Sequence, residues 1–547
     1  MKKIFLYISV LMLLAFTSCE NELDSRHLNP DGFTDAKIEY LYSQGLVRTI
    51  DNDYNDFYNY VFRLLGTYTQ TVSRKTGTSR ANVYLIQDDK GRWDRYYVYR
   101  MKEFAEMDKK YNYVLSETEK KDYTPYMETA KVLKAFNTMM ATDMMGSMPY
   151  SEAWGSRNAL YGQPINLTPK YESQQQLYDY VLSDLESVAA YLKSASLDQS
   201  IEVQNIFPKQ DDLYNGDFSK WGKFTNSLRL RAAMRISYVD EAKAKEVLSK
   251  LTESDLITTN ADNAYTKLNT GLAGDGKGIW RALRESQNQN NGEYAYAPEN
   301  MVKVFNEAND PRLVVYFQPP SDLSGNVVHP DKPILGYPES ADRAEQIILE
   351  KTAQEIRDTY GIVNSVTIRN NEYFPNGIGI TASDVYFLLA EARVRNLISW
   401  GNAEDFYNKG IILSIQEYYD YYKNSTETKM KLESIASRDV SEATLSVWLA
   451  SSAYKFDASN QSKALEQIAR QRWIHLWILQ PFENWAEYRR TDLPKMVDDK
   501  DKGVVVNQEN APTKFMYPSS ESTLNGENFK AVVQENDPKV RVWWDVK

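Results

Sequence analysis

Apolar residues recur every three or four positions along two long stretches of this chain and lose that interval between them. From Asp35 to Gln70 the stripe is Leu41, Leu46 and Val47, then Phe57, Val61, Leu64 and Leu65, which predicts helix. The segment Thr71–Trp93 is polar, with Gly77 and Gly91 as turn signals. Helices are predicted next over Tyr96–Leu115 and Tyr123–Met145; in the second, Ala130, Leu133, Phe136 and Met140 form a narrow stripe suited to one neighbour. Gln174–Leu192 follows, with Leu177, Val181, Leu185, Val188 and Leu192 on one face, and then Trp221–Ser237 and Glu241–Leu251. Between about Thr252 and Thr381 the helical interval thins, and Gly, Pro, Asn and aromatic residues concentrate. It returns from Ala382, over Val385–Val394 and Phe406–Tyr422. The tail beyond Asp498 offers short β-like pieces at Val504–Val506 and Val540–Trp544.

The densest pattern is Ala464–Met496. Leu465, Ile468, Ala469, Leu476 and Leu479 keep helical spacing, with Trp473 and Trp477 beside them. Pro481 lacks an N–H and clashes with the preceding turn, so the first helix stops before it. A second short helix then places Phe482, Trp485, Ala486 and Arg489 on one face and Glu483, Glu487 and Arg490 on another, until Pro494 stops it. The three-residue spacing of Glu487 and Arg490 permits an ion pair.

The first residues read as an address. Met1-Lys2-Lys3 is a basic start, Ile4–Phe16 is apolar but short for a membrane span, and Thr17-Ser18 supplies small residues before Cys19. Cys19 is the only cysteine, so no intramolecular disulfide can form, and its position resembles a lipobox cleavage site. Lipid on Cys19 would anchor the protein. Glu20, Asn21, Glu22 and Asp24 follow as an acidic run.

Charge and composition narrow the chemistry. With 547 residues the chain can bury a large core, and aromatic residues make up 13%, including 39 Tyr and 11 Trp. The net charge of −11 argues against nucleic acid, which needs clustered Lys and Arg, and leaves neutral carbohydrate or peptide open. Only His27, His329 and His475 are available for imidazole chemistry. Gly271–Lys277 matches the glycine and lysine spacing of a phosphate loop, but Gly278 stands where Ser or Thr would hold magnesium. Asp51–Asn55 opens like a calcium loop, but Asp56 replaces its glycine and Phe62 its closing glutamate. A helix N-terminus capped by Asp or Asn explains that run better. No HExxH or GxSxG pattern is present. No metal site, cofactor or catalytic residue is expected, and the chain is read as a binding protein.

A family resemblance rests on several of these segments together. Gln471-Arg472-Trp473, the run Glu483-Asn484-Trp485-Ala486-Glu487-Tyr488-Arg489-Arg490-Thr491 and Pro494 resemble the C-terminal signature of SusD/RagB outer-membrane lipoproteins, in their SusD-like, starch-binding group. Asp492 departs from it, standing where a glycine is expected. Asp143–Ala153 resembles the family's helix-end motif, with Gly146 ending the helix. Trp221–Ser237, Tyr296–Asn306 (a short helix), Asn309-Asp310-Pro311-Arg312-Leu313 and Val385–Val394 resemble further family segments in the right order.

The resemblance implies a mostly α fold: four tetratricopeptide-like helix pairs form a scaffold, and an irregular loop-rich region carries the binding face. Small residues such as Ala232 and Ala233 suit helix crossings, although no strict 34-residue repeat appears. The expected organisation is a signal peptide over 1–18, a lipidated tether over 19–34 and one SusD-like domain over 35–547, with helical scaffold at about 35–251 and 382–497 and the loop-rich region at about 252–381. The implied partners are a SusC-like TonB-dependent transporter, an oligosaccharide ligand and the outer membrane, reached through the lipid on the cell surface. RagB-type relatives imply peptide as the alternative ligand, and a surface hydrolase is a further alternative.

A sugar site needs exposed rings for stacking, with amides and charged donors between them. The candidates with that mix are Arg92, Trp93 and Asp94, then Trp280, Arg281, Asn288, Asn290, Tyr294 and Tyr296, and Tyr373 in a further loop. A single Tyr or Trp is more often packed core than ligand site. The arginines of Glu483–Arg490 are expected to form a structural ion-pair network.

Overall fold

The computed structural model describes residues 36–50, 54, 56–75, 90–266, 281–282, 294–320, 331–339, 341–369, 371–496 and 512–547. The mostly helical expectation holds. Helix α1 spans Ile38–Ile50, α2 Lys102–Tyr113, α3 Thr124–Met145, α4 Gln174–Leu192, α5 Phe218–Ile236 and α6 Glu241–Leu248. After the loop-rich region come α7 Glu299–Ala308, α8 Ala382–Val394, α9 Ala403–Asn424, α10 Gln461–Leu476 and α11 Pro481–Thr491.

Capping residues set most of these bounds. Ser173 and Gln176 exchange side-chain and backbone hydrogen bonds to open α4. The Asp217 carboxylate accepts the Ser219 and Lys220 N–H groups, which starts α5 three residues before the predicted Trp221. Asn402 does the same for α9. At the end of α3, Gly146 adopts φ 83°, and a Cβ there would stand 3.1 Å from Glu535 Oε2. Only glycine fits both the backbone and the space.

Packing joins neighbours in sequence and then closes the chain. Helix α1 packs on α2 and α3, α3 on α4, α5 on α4 and α6, α8 on α9 and α10, and α10 on α11. Helix α5 also meets α8, and α11 returns onto α3, so the two helical stretches share one interior. Continuous buried side chains link Ile38 at one end of the sequence to Trp544 at the other. The tail closes this interior: Trp544 Nε1 donates to Asp143 Oδ1 at 2.7 Å, and the Phe515 N–H to Met144 O at 2.7 Å.

Four local expectations are corrected. Within Asp35–Gln70 the described helical residues are those of α1 and a wider helical stretch over Asp56–Leu65, rather than α-helix throughout. The helix expected over Tyr296–Asn306 starts only at Glu299, after Pro298 in an extended conformation, because Tyr296 ends a strand. Val540–Trp544 forms turns rather than a strand, while Val504–Val506 lies outside the described residues. The described residues of 252–381 contain strands that the sequence does not suggest: with β1 Ser73–Lys75, the strands β3 Tyr294–Tyr296, β5 Ile362–Val363 and β4 Phe317–Gln318 form an antiparallel sheet in that order. Strand β2 (Tyr265–Thr266) pairs separately with β6 (Gly377–Ile378). In the β1–β3 pair Ser73 lies opposite Tyr296 and Lys75 opposite Tyr294.

Candidate functional site

The hairpin of α10 and α11 builds an ion-pair network inside the fold. Arg235 of α5 reaches Asp143 (Nε–Oδ2 3.1 Å), Glu483 (2.7 Å) and Glu487. Arg490 bridges Glu391 at 2.8 Å and Glu487 at 2.7 Å, the pair that the spacing permits. Arg231 and Arg472 both hold Asp384. Trp473 and Trp477 are buried, their indole N–H groups donating to Thr69 O at 2.7 Å and Thr71 O at 2.9 Å. These arginines pair with the protein's own carboxylates and the two indoles with its backbone carbonyls, which is the arrangement of a structural network. Asp492 follows α11 at φ 52°, ψ 28°, the left-handed cap that glycine usually fills. Asp492→Gly is expected to raise stability by up to about 1 kcal/mol in urea unfolding; a loss would show that the carboxylate itself is needed.

Imidazole chemistry has little to work with. Buried His475 is held between Thr381 Oγ1 at 2.7 Å and Ser414 Oγ at 3.0 Å, and burial pushes its pKa down to about 3. It is a neutral structural side chain at physiological pH. Among the described residues no group of three or more His, Cys, Asp or Glu is placed to hold a metal ion.

Two of the sequence candidates, Arg92 and Arg281, meet side chains of the short segment that carries Tyr54, Asp56, Tyr58 and Tyr60. Its Asp56 is buried and accepts from Arg92, from Arg95 at 2.8 Å and from Arg100 at 3.3 Å. Burial alone would raise the Asp56 pKa, but the three guanidinium groups outweigh it and hold the carboxyl well below the usual range. The Arg92 guanidinium lies over the Tyr60 ring, 3.8 Å from its centroid. One step along, Tyr54 and Tyr58 stack at 5.3 Å and 12°, and Arg281 lies 4.3 Å from the Tyr54 centroid. Tyr54, Tyr58 and Arg281 are partly exposed. A ring pair carrying a planar guanidinium offers an apolar face with directed donors at its edge, which suits a hydroxyl-rich ring.

Three candidates need correction. Trp93 is only 8% exposed, because Tyr97, Tyr171 and Tyr517 pack around it at 4.8, 6.3 and 6.0 Å, so it presents no stacking face. Arg92 is buried on Asp56. Tyr296 is buried against Tyr337, with ring centroids 4.9 Å apart. Asp94 pairs with Lys90 one helical turn away, near the surface. Tyr294 contributes its backbone to β3. Tyr373 is 61% exposed beside the buried Phe374, which packs on Tyr421 at 5.1 Å. Trp280, Asn288, Asn290 and Cys19 lie outside the described residues. Tyr54 and Tyr58 were missed, although their spacing of four is the signal that places two rings on one helical face.

No helix among the described residues is long and apolar enough to cross a membrane. A search of curated proteins finds no match. Solved structures match over nearly the whole chain. A chitin-binding protein shares 23% identity, covering 93% of this chain and 100% of its own, with a TM-score of 0.69. A SusD homologue from Bacteroides fragilis shares 19% identity over 93% and 100% of the two chains, with a TM-score of 0.71. A chitin-binding SusD homologue from Flavobacterium johnsoniae shares 20% identity over 93% and 99%, with a TM-score of 0.67. At these identities the likeness is one of fold. The family model described as starch-binding associating with outer membrane matches residues 31–518, and the chain belongs to this SusD-like family.

Proposed function

We propose that this protein captures neutral oligosaccharides at the outer membrane and passes them to a SusC-like TonB-dependent transporter. The observation that carries the reading is the family match over residues 31–518, whose description joins starch binding to the outer membrane. The stacked Tyr54–Tyr58 pair under Arg281 supports it with a surface suited to a sugar ring. The net charge of −11 disfavours acidic polymers. In this reading the leader 1–18 is removed, Cys19 is lipidated, 19–34 is a tether and 35–547 is one binding domain. The role is capture without turnover.

Calorimetry with hexasaccharides of amylose, chitin and xylan tests the reading. At least one is expected to bind the purified chain, and Arg281→Ala to weaken it about tenfold, or about 1.4 kcal/mol. Binding of short peptides with none of the three sugars would overturn it in favour of peptide capture.

A further inference from the structure

A second surface has the chemistry of a sugar site and shares no residue with the Tyr54–Arg281 face. It is a groove of about 270 Å³ between α2 and the turn that follows α3, close to the lower end of the roughly 300–1,000 Å³ usual for small-ligand sites. Tyr113, Tyr150 and Trp154 bring three rings to it. Each ring is already braced. Trp154 Nε1 donates to Tyr97 O at 2.8 Å, and Tyr150 stacks on Tyr180 at 5.7 Å and 24°. Tyr113 is 51% exposed and lies 6.2 Å from Tyr161, whose hydroxyl is tied to Glu106. Rings fixed before a ligand arrives lose little rotamer freedom on binding.

Backbone strain marks the same place. Trp154 adopts φ 58°, ψ 19°, a left-handed conformation that costs a bulky L-residue on the order of 1–3 kcal/mol. Glycine or asparagine would relieve that strain, yet the position carries the largest ring in the repertoire.

The polar groups favour an uncharged, hydroxyl-rich ligand. Asp108 and Lys134 neutralise each other in an ion pair. Lys109 donates to Asn158, and Asn112 and Ser151 are exposed. Amide and hydroxyl groups thus alternate with ring faces, and no single charge dominates. A larger groove of about 370 Å³ beside Arg393 and Gln461 lacks this character, since its only ring, Phe456, is buried.

We infer that the Tyr113–Tyr150–Trp154 groove is an additional saccharide subsite, taking a short stretch of neutral glycan; the inference rests on the glycan reading above. Calorimetry of the purified full chain with the same three hexasaccharides tests it. Wild type is expected to show two binding steps: Tyr113→Ala loses one, while Arg281→Ala keeps that one unchanged and weakens the other about tenfold. Trp154→Ala is expected to lose the same step as Tyr113→Ala. Because Tyr113 is half exposed, its replacement is expected to leave the unfolding midpoint unchanged, which separates lost binding from lost fold. If Tyr113→Ala keeps every step at unchanged affinity, the groove is overturned and the glycan reading stands. If none of the three sugars binds wild type, both are overturned.

Discussion

Replacing Asp384 with asparagine is expected to lower the stability of the folded chain by about 3–5 kcal/mol, the cost of leaving buried charge without its counter-charge. Asp384 is fully buried at the start of α8, and its two oxygens serve different arginines. Oδ2 accepts from Arg231 Nη2 at 2.7 Å, and Oδ1 from Arg472 Nε. Asparagine fits the space but removes the negative charge and turns an N–H₂ group towards one of the two guanidiniums. Arg231 would keep Gly379 O at 2.9 Å and Gln480 Oε1 at 3.0 Å, and Arg472 would keep Glu483 at 2.8 Å, so the chain should still fold. Burial would raise the Asp384 pKa, but the two arginines overcome it and bring it to about 2. A depressed carboxyl stabilises the fold above its unfolded value of 3.8 and loses that contribution as pH falls towards 2. Urea unfolding at pH 7 measures the effect. A loss below about 1 kcal/mol would mean that the neighbouring hydrogen bonds carry the site without the charge.

Glu417 behaves in the opposite sense. It lies buried on α9, with Oε1 accepting from Tyr421 Oη at 2.7 Å and no hydrogen-bond partner for Oε2. Burial, with Asp420 nearby, pushes its pKa up from 4.5 to about 7, against the hydrogen bonds from Tyr421 and Tyr265. As pH rises above 4.5 the unfolded chain releases this proton while the folded chain retains it. Stability is therefore present below pH 4.5 and lost as pH rises through 7. Glutamine has the shape of the protonated acid and does not titrate. Glu417→Gln is expected to gain about 3 kcal/mol over wild type at pH 8 and almost nothing at pH 4. Unfolding curves recorded at both pH values test it. A difference that stays constant with pH would remove Glu417 as the titrating group.

What the sequence disclosed depended on how far apart the interacting residues lie. Helix α4 could be bounded at Gln174 and Leu192, because its capping residues and apolar stripe are contiguous. The arginines of α11 were legible as an internal network from their spacing with glutamate. The β-strands were not, since segments of two or three residues are too short to display an alternating pattern. The setting of Trp93 was misleading for a related reason. Gly91, Arg92 and Asp94 make its neighbourhood in sequence polar, while the rings that bury it, Tyr171 and Tyr517, arrive from distant parts of the chain. Arg281 stands out in the sequence as a candidate ligand-binding residue beside Trp280, but its ring partner Tyr54 belongs to a segment that reads as a helix cap.

The bond between Trp544 and Asp143 has a consequence for biogenesis. The two residues are 401 positions apart, which at ~5–20 residues per second corresponds to about 20–80 s of synthesis. Throughout that interval Asp143 and Arg235, central to the finished interior, lack the indole that closes over them. The chain therefore cannot complete its core domain by domain as it emerges. The interior around Asp143 and Arg235 is closed only once the segment that carries Trp544 has been delivered.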